Sequence, residues 1–243
     1  MSEQLSTLRL AALNIDGVLL NDTFSPVIHR FVTRRGADYS AGLERRIFSQ
    51  PQLVAAAVLA EATGMRTTPE ETIAIYLEER ELYTIEHPVH LLDGAVDLLL
   101  RLRAAGLRTV CYGGLDVSHF ERHLGHLGEL FDGPGYVCTN DIRPGIREIT
   151  ELFGLEHRQV LFVDDVARVA EQARELDVPF VGHPSTFPHG FQRQLMTEAG
   201  VRHLVGSLDA IDGELLRRID TEAAAGTVWT ALRSGGTRSG LAA

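Results

Sequence analysis

The sequence predicts an α/β fold, a doubly wound parallel sheet carrying a small inserted helical module. Three observations predict it. From Leu91 onward, short apolar runs alternate with amphipathic segments, the rhythm of a parallel sheet covered on both faces. Residues 26–90 carry apolar side chains at helical spacing and show no strand signal. A length of 243 residues exceeds one small domain and falls short of two full ones, which suits a core with an insertion.

Taken in order, residues 8–15 (LRLAALNI) form an apolar run closing at Asp16-Gly17, the pattern of a buried parallel strand entering a tight loop. Asn21 to Phe24 reads as a turn. Residues 27–34, 53–63 and 69–83 read as helices. Thr68-Pro69-Glu70-Glu71 supplies the third with a capping Thr, a first-turn Pro and acids beside the positive end of its dipole. Residues 93–105 form an amphipathic helix closed by Gly106. Strands are expected at 107–112, 135–139, 159–163 and 179–182, with a last short one at 203–205. Helices are expected between them at 117–127, 145–153, 168–176 and 191–199. The implied organisation is a core of 1–20 and 91–210, a helical module over 21–90, and a C-terminal helix with tail over 211–243. The Gly-, Ser- and Thr-rich tail is read as frayed from Ser234.

Composition narrows the function. Hydrophobic residues make up 44% and charged residues 23%, ordinary values for a globular chain. The net charge of −10 argues against a nucleic-acid partner, whose phosphates need cations. No apolar stretch has the length of a membrane span, and Met1 to Thr7 lacks a signal pattern, so a cytoplasmic protein without membrane contact is expected. Cys111 and Cys138 sit in apolar runs and are read as buried thiols rather than a disulfide or zinc framework. Every Lys-or-Arg position is arginine, so no step can use a lysine amine.

In a doubly wound sheet, ligands bind beyond the C-terminal ends of the strands. Four such ends carry chemistry: Asn14-Ile15-Asp16-Gly17, Tyr112-Gly113-Gly114, Arg143-Pro144 and Val163-Asp164-Asp165. Their order and spacing resemble the four-motif layout of the haloacid dehalogenase superfamily, with the helical module as its cap. Leu92-Asp93-Gly94-Ala95 resembles the point where that family's chain returns from the cap. The resemblance covers residues 8–206.

The resemblance implies a Rossmann-like core and phosphoryl transfer or dehalogenation on a small anionic metabolite. It places Asp16 as acid/base, Arg143 as the charge-neutralising base, and Asp164 and Asp165 as magnesium ligands. A carboxylate attacks phosphorus only when cations and donors offset their repulsion. This chain departs from the pattern at three positions. Asn14 replaces the nucleophilic aspartate, Gly113 replaces a phosphate-holding hydroxyl, and Val169 replaces a polar residue early in the fourth-motif helix. Magnesium is expected to bind weakly, because Asn14 removes a negative charge. Backbone N–H groups of Gly113 and Gly114 are candidate anion donors. Asn21 and Thr23, in the flap after the first motif, are candidate substrate contacts.

Each feature has a plainer reading. Asp16-Gly17 and Arg143-Pro144 could be turns, and Asp164-Asp165 a helix-capping pair. Gly113-Gly114 could be a loop with positive φ. His119 and His123 read as a solvated helix face. His183 is placed near the mouth of the site. The basic cluster of His29, Arg30, Arg34 and Arg35 reads as a solvated face or a lure for anions.

Three functions stay open. One is a divergent enzyme without phosphoenzyme chemistry, a lyase, isomerase or non-phosphoryl hydrolase. Another is an ordinary magnesium phosphatase seen as an Asn14 variant that traps substrate. The last is a non-catalytic binding or regulatory protein. The joint departures at 113 and 169 favour the first over a single altered residue.

Overall fold

The computed structural model describes residues 5–230, and the tail from Ser234 lies outside them. Five short apolar runs become strands: β1 (Leu10–Asn14), β2 (Arg108–Gly113), β3 (Tyr136–Cys138), β4 (Val160–Asp164) and β5 (Phe180–Gly182). All pair in parallel, in the order β3-β2-β1-β4-β5. The chain therefore winds outward from β1 to β3, then returns to the other side of β1 for β4. That reversal opens a crevice at the C-terminal end of β1.

Alternate residues of each strand serve opposite faces. Ala11, Leu13 and Cys111 face one buried cluster. It is covered by α5 (Ala95–Ala104), α6 (Val117–Leu124) and α10 (Gly213–Ala225). Leu10, Ala12, Tyr112 and Phe162 face the other, with α7 (Ile146–Leu152), α8 (Ala167–Glu175) and α9 (Gln192–Glu198). The same cluster continues into the segment between β1 and α5, which holds α1 (Ser25–Arg34), α2 (Ala41–Ile47), α3 (Gln52–Thr63) and α4 (Pro69–Glu86). Phe31 and Leu59 of this segment are almost fully buried, each contributing roughly 1.5–3 kcal/mol of apolar burial. The core of the fold is thus shared between sheet and inserted helices.

The capping motif at Thr68 forms as read, with Thr68 Oγ1 accepting from Glu71 N and Glu71 Oε2 accepting from Thr68 N. Several expectations need correction. Residues 41–47 form a helix, α2, capped by the Ser40 side chain. Residues 203–205 make a single bridge, Gly182 to Leu204, rather than a strand. Helix 117–127 stops at Leu124 and tightens into a 3-10 turn, Gly125–Leu130. Cys111 is buried, but Cys138 ends the short edge strand β3 and is exposed. No described helix is long and apolar enough to cross a membrane.

Candidate active site

Parallel pairing carries Asn14, Gly113 and Asp164 to one end of adjacent strands. The Asn14 side chain is buried there, and its Nδ2 donates twice: to the Asp16 carbonyl at 2.9 Å and to Asp165 Oδ1 at 2.8 Å. Two acceptors fix the orientation of the amide. Asp164 is spent internally. One oxygen accepts from the Tyr112 hydroxyl and the other from Val166 N at 2.7 Å. Burial pushes both carboxyls above the usual range, and Asp165 is raised further by the charge of Asp164. Gly17 has φ +87°, and a Cβ there would stand 2.2 Å from Asp165 Oδ2, so both conformation and space call for glycine.

Asp16 faces the crevice, and its Oδ1 lies 3.0 Å from His119 Nε2 on α6. The two side chains are 11% and 10% exposed, so His119 does not belong to a solvated face. Its ring meets His123 edge-on at 4.9 Å, and burial followed by the nearby His119 charge lowers the His123 pKa. Neither Gly113 nor Gly114 takes a positive φ, so the loop reading fails. Space explains them instead. A Cβ on Gly114 would sit 1.9 Å from Arg143 Nη2, and one on Gly113 would sit 2.5 Å from Ile15 Cγ2. Arg143 lies over Gly114 because that residue has no side chain, and Ile15 fills the space of a hydroxyl-bearing residue at 113. Val169 is fully buried against the sheet, where a polar group would lack partners.

These groups floor a cavity of about 130 Å³, roofed by the inserted helices. Asn14, Asp16, Arg143, Asp165 and Gly114 form the polar floor. Phe24, Ile28, Phe48, Leu59 and Ile73 supply much of the apolar wall. Gln52 fastens the roof to the rim, its Nε2 donating to Gly114 O and its backbone N to Asn140 Oδ1, both at 2.9 Å. A second tie passes through Glu44 of α2. It accepts from Tyr39, Phe191 N and Gln192 Nε2, while Gln192 Oε1 accepts from Ala167 N at the start of α8.

The structure gathers Asn14, Asp16, Gly114, Arg143 and Asp165 around the cavity. It does not bring Asn21 and Thr23 there. Asn21 pairs with the backbone of Pro88 and His90, and the fully buried Thr23 accepts from Arg80 Nη2 at 2.9 Å. Both fasten the flap to the inserted segment. His183 does not line the cavity; its Nδ1 lies 2.9 Å from Gly17 O, and its side chain belongs to a separate pocket. His119 is the residue that sequence reasoning missed, since its partner is 103 positions away.

The residues present do not fit the magnesium ion that the resemblance implies. Hard cations need several oxygen ligands. Here the carbonyl of Asp16 and Oδ1 of Asp165 already accept from the Asn14 amide, and both Asp164 oxygens are bonded within the protein. Among the described residues, no group of three or more His, Cys, Asp or Glu side chains gathers to hold a metal.

The fold is shared with known structures. A β-phosphoglucomutase from Clostridium difficile superposes with a TM-score of 0.66 at 14% identity, covering 90% of this chain and 99% of that one. A phosphonoacetaldehyde hydrolase-like protein from Oleispira antarctica gives 0.65 at 12% identity, with 92% and 96% covered. A hydrolase from Pseudomonas syringae gives 0.62 at 17% identity, with 85% and 96% covered. At these identities the likeness concerns the fold. No curated protein matches the chain in sequence. The family model described as haloacid dehalogenase-like hydrolase matches residues 8–177, taking in β1, β2, β4 and the four strand-end motifs. The chain therefore belongs to the haloacid dehalogenase-like hydrolase family.

Proposed function

We propose that this protein is a divergent member of its family, acting on a small anion by general acid–base chemistry without an aspartyl phosphoenzyme. The carrying observation is the double hydrogen bond of Asn14. A neutral carboxamide is no nucleophile toward phosphorus, and its two N–H groups point at two oxygens that a cation would otherwise draw on. The groups left to do chemistry are Asp16, Arg143 and the backbone around Gly114. Asp16 moves a proton at the substrate, His119 orients its carboxylate, and Arg143 holds negative charge. The roof excludes water from this exchange. Lyase, isomerase or non-phosphoryl hydrolase chemistry fits that set.

An ordinary phosphatase altered at one residue is the competing account. The filled space beside Gly113 and the doubly bonded Asp164 weigh against it, since restoring Asp at position 14 corrects neither. The test is magnesium-dependent phosphate release from a panel of small phosphomonoesters, run with the protein and with Asn14→Asp. No release from either is expected. Turnover by Asn14→Asp alone would establish a competent phosphatase scaffold and overturn the proposal.

A further inference from the structure

The lining of the cavity contains buried polar atoms that have no hydrogen-bond partner within the protein. Ser49 Oγ and Tyr76 OH are buried without a hydrogen-bond partner, in residues only 9% and 4% exposed. Asp22 Oδ2 is likewise unpartnered, although Oδ1 accepts from Phe24 N and Ser25 N at 2.9 Å. On the floor side, Arg143 Nε is buried and unpaired. All four residues line the same cavity. Native proteins pair nearly all such atoms, and of the nine left bare among the described residues four belong to the lining of this one cavity. Ser49 also holds φ +54°, a left-handed conformation that serine seldom takes and that concentrates at binding sites.

The missing partners have a definite chemistry. Arg143 can only donate, so it needs an acceptor. The Asp22 carboxylate can only accept, so it needs a donor. The hydroxyls of Ser49 and Tyr76, in the same lining, can accept as well as donate, and burial keeps the Tyr76 hydroxyl protonated. A ligand that offers only acceptors would satisfy Arg143 and leave the Asp22 oxygen bare.

We infer that the cavity selects a small zwitterion, with its anionic end at Arg143 and Gly114 and an ammonium end held by Asp22, Ser49 and Tyr76. A short aliphatic body between the ends would lie on the apolar wall. This rests on the reading of the cavity as the substrate site and adds the substrate's second end.

The test is calorimetric titration of the full chain with short aminoalkyl carboxylates and phosphonates, against the same anions ending in methyl. The amino-ended compounds are expected to bind about tenfold tighter, a preference worth one decade in Kd. Asp22→Asn and Tyr76→Phe should each erase the preference and leave the methyl-ended compounds unaffected. Asn keeps the acceptor that caps α1, so the fold is spared. Ligand-free Tyr76→Phe should melt no lower than the parent, because the lost hydroxyl has no partner. Equal binding of both series, or a preference that survives both variants, overturns the inference alone. If no anion of either series binds, or if binding is indifferent to Arg143→Met, the substrate-site reading falls and this inference with it.

Discussion

Asn14 Nδ2 stands 2.8 Å from Asp165 Oδ1, an uncharged bridge across the floor of the site. Asn14→Asp would set two carboxylates at that separation, and like charges so close disfavour joint ionisation. The variant is expected to lose about 1–3 kcal/mol, the cost of leaving a buried polar group without its partner. Manganese should restore the loss in the variant and leave the parent's melting temperature unchanged. Thermal unfolding with chelator and with manganese decides it, and an equal manganese response of the parent would remove the argument.

Gly113→Thr restores the family's hydroxyl but meets Ile15. With a Cβ 2.5 Å from Ile15 Cγ2, overpacking should cost about 1–3 kcal/mol. Urea denaturation measures this. Combination with Ile15→Ala should recover part of the loss, and additive costs would show that the clash is not the cause.

Glu44 ties the inserted helices to α9. Glu44→Ala strands Phe191 N and the Gln192 amide, for an expected loss of about 2–4 kcal/mol. Hydrogen exchange should rise in α2 and at the start of α8 together. A rise confined to α2 would contradict the shared tie.

Asp220 of α10 accepts from the backbone N–H groups of Ser6, Thr7 and Leu8, each at 2.8 Å, just before β1. Burial alone would raise its pKa, but these bonds outweigh burial and hold the carboxyl below its ordinary 3.8. Its contribution is therefore present above that value and lost as pH falls through the folded pKa. The stability gap between the protein and Asp220→Asn should be constant near neutrality and shrink below about pH 3.8. Paired denaturation curves across that range check the sign.

The strands and motif ends were legible because apolar runs ending in Asp, Asn or Gly have few other readings. The seven-residue α2 was not, being too short for a periodic signal. Cys138 belongs to an apolar run, yet its strand is three residues long and lies at the sheet edge, where one side stays open. His119 looked like a surface residue because helical spacing reports local neighbours, whereas its partner Asp16 arrives by sheet topology. The roof's contribution was invisible for a similar reason. Nothing in a serine announces a left-handed backbone, and nothing in a tyrosine announces a hydroxyl with no partner.

Gln192 has one amide shared between Glu44 of the roof and Ala167 N below Asp165. A roof that lifts must strip this side chain from Glu44 while it still steadies the start of α8. The hold on the roof and the start of the helix beneath the floor thus pass through one side chain that lines no part of the cavity. A substitution at Gln192 would loosen both anchors at once while leaving every cavity-lining group in place.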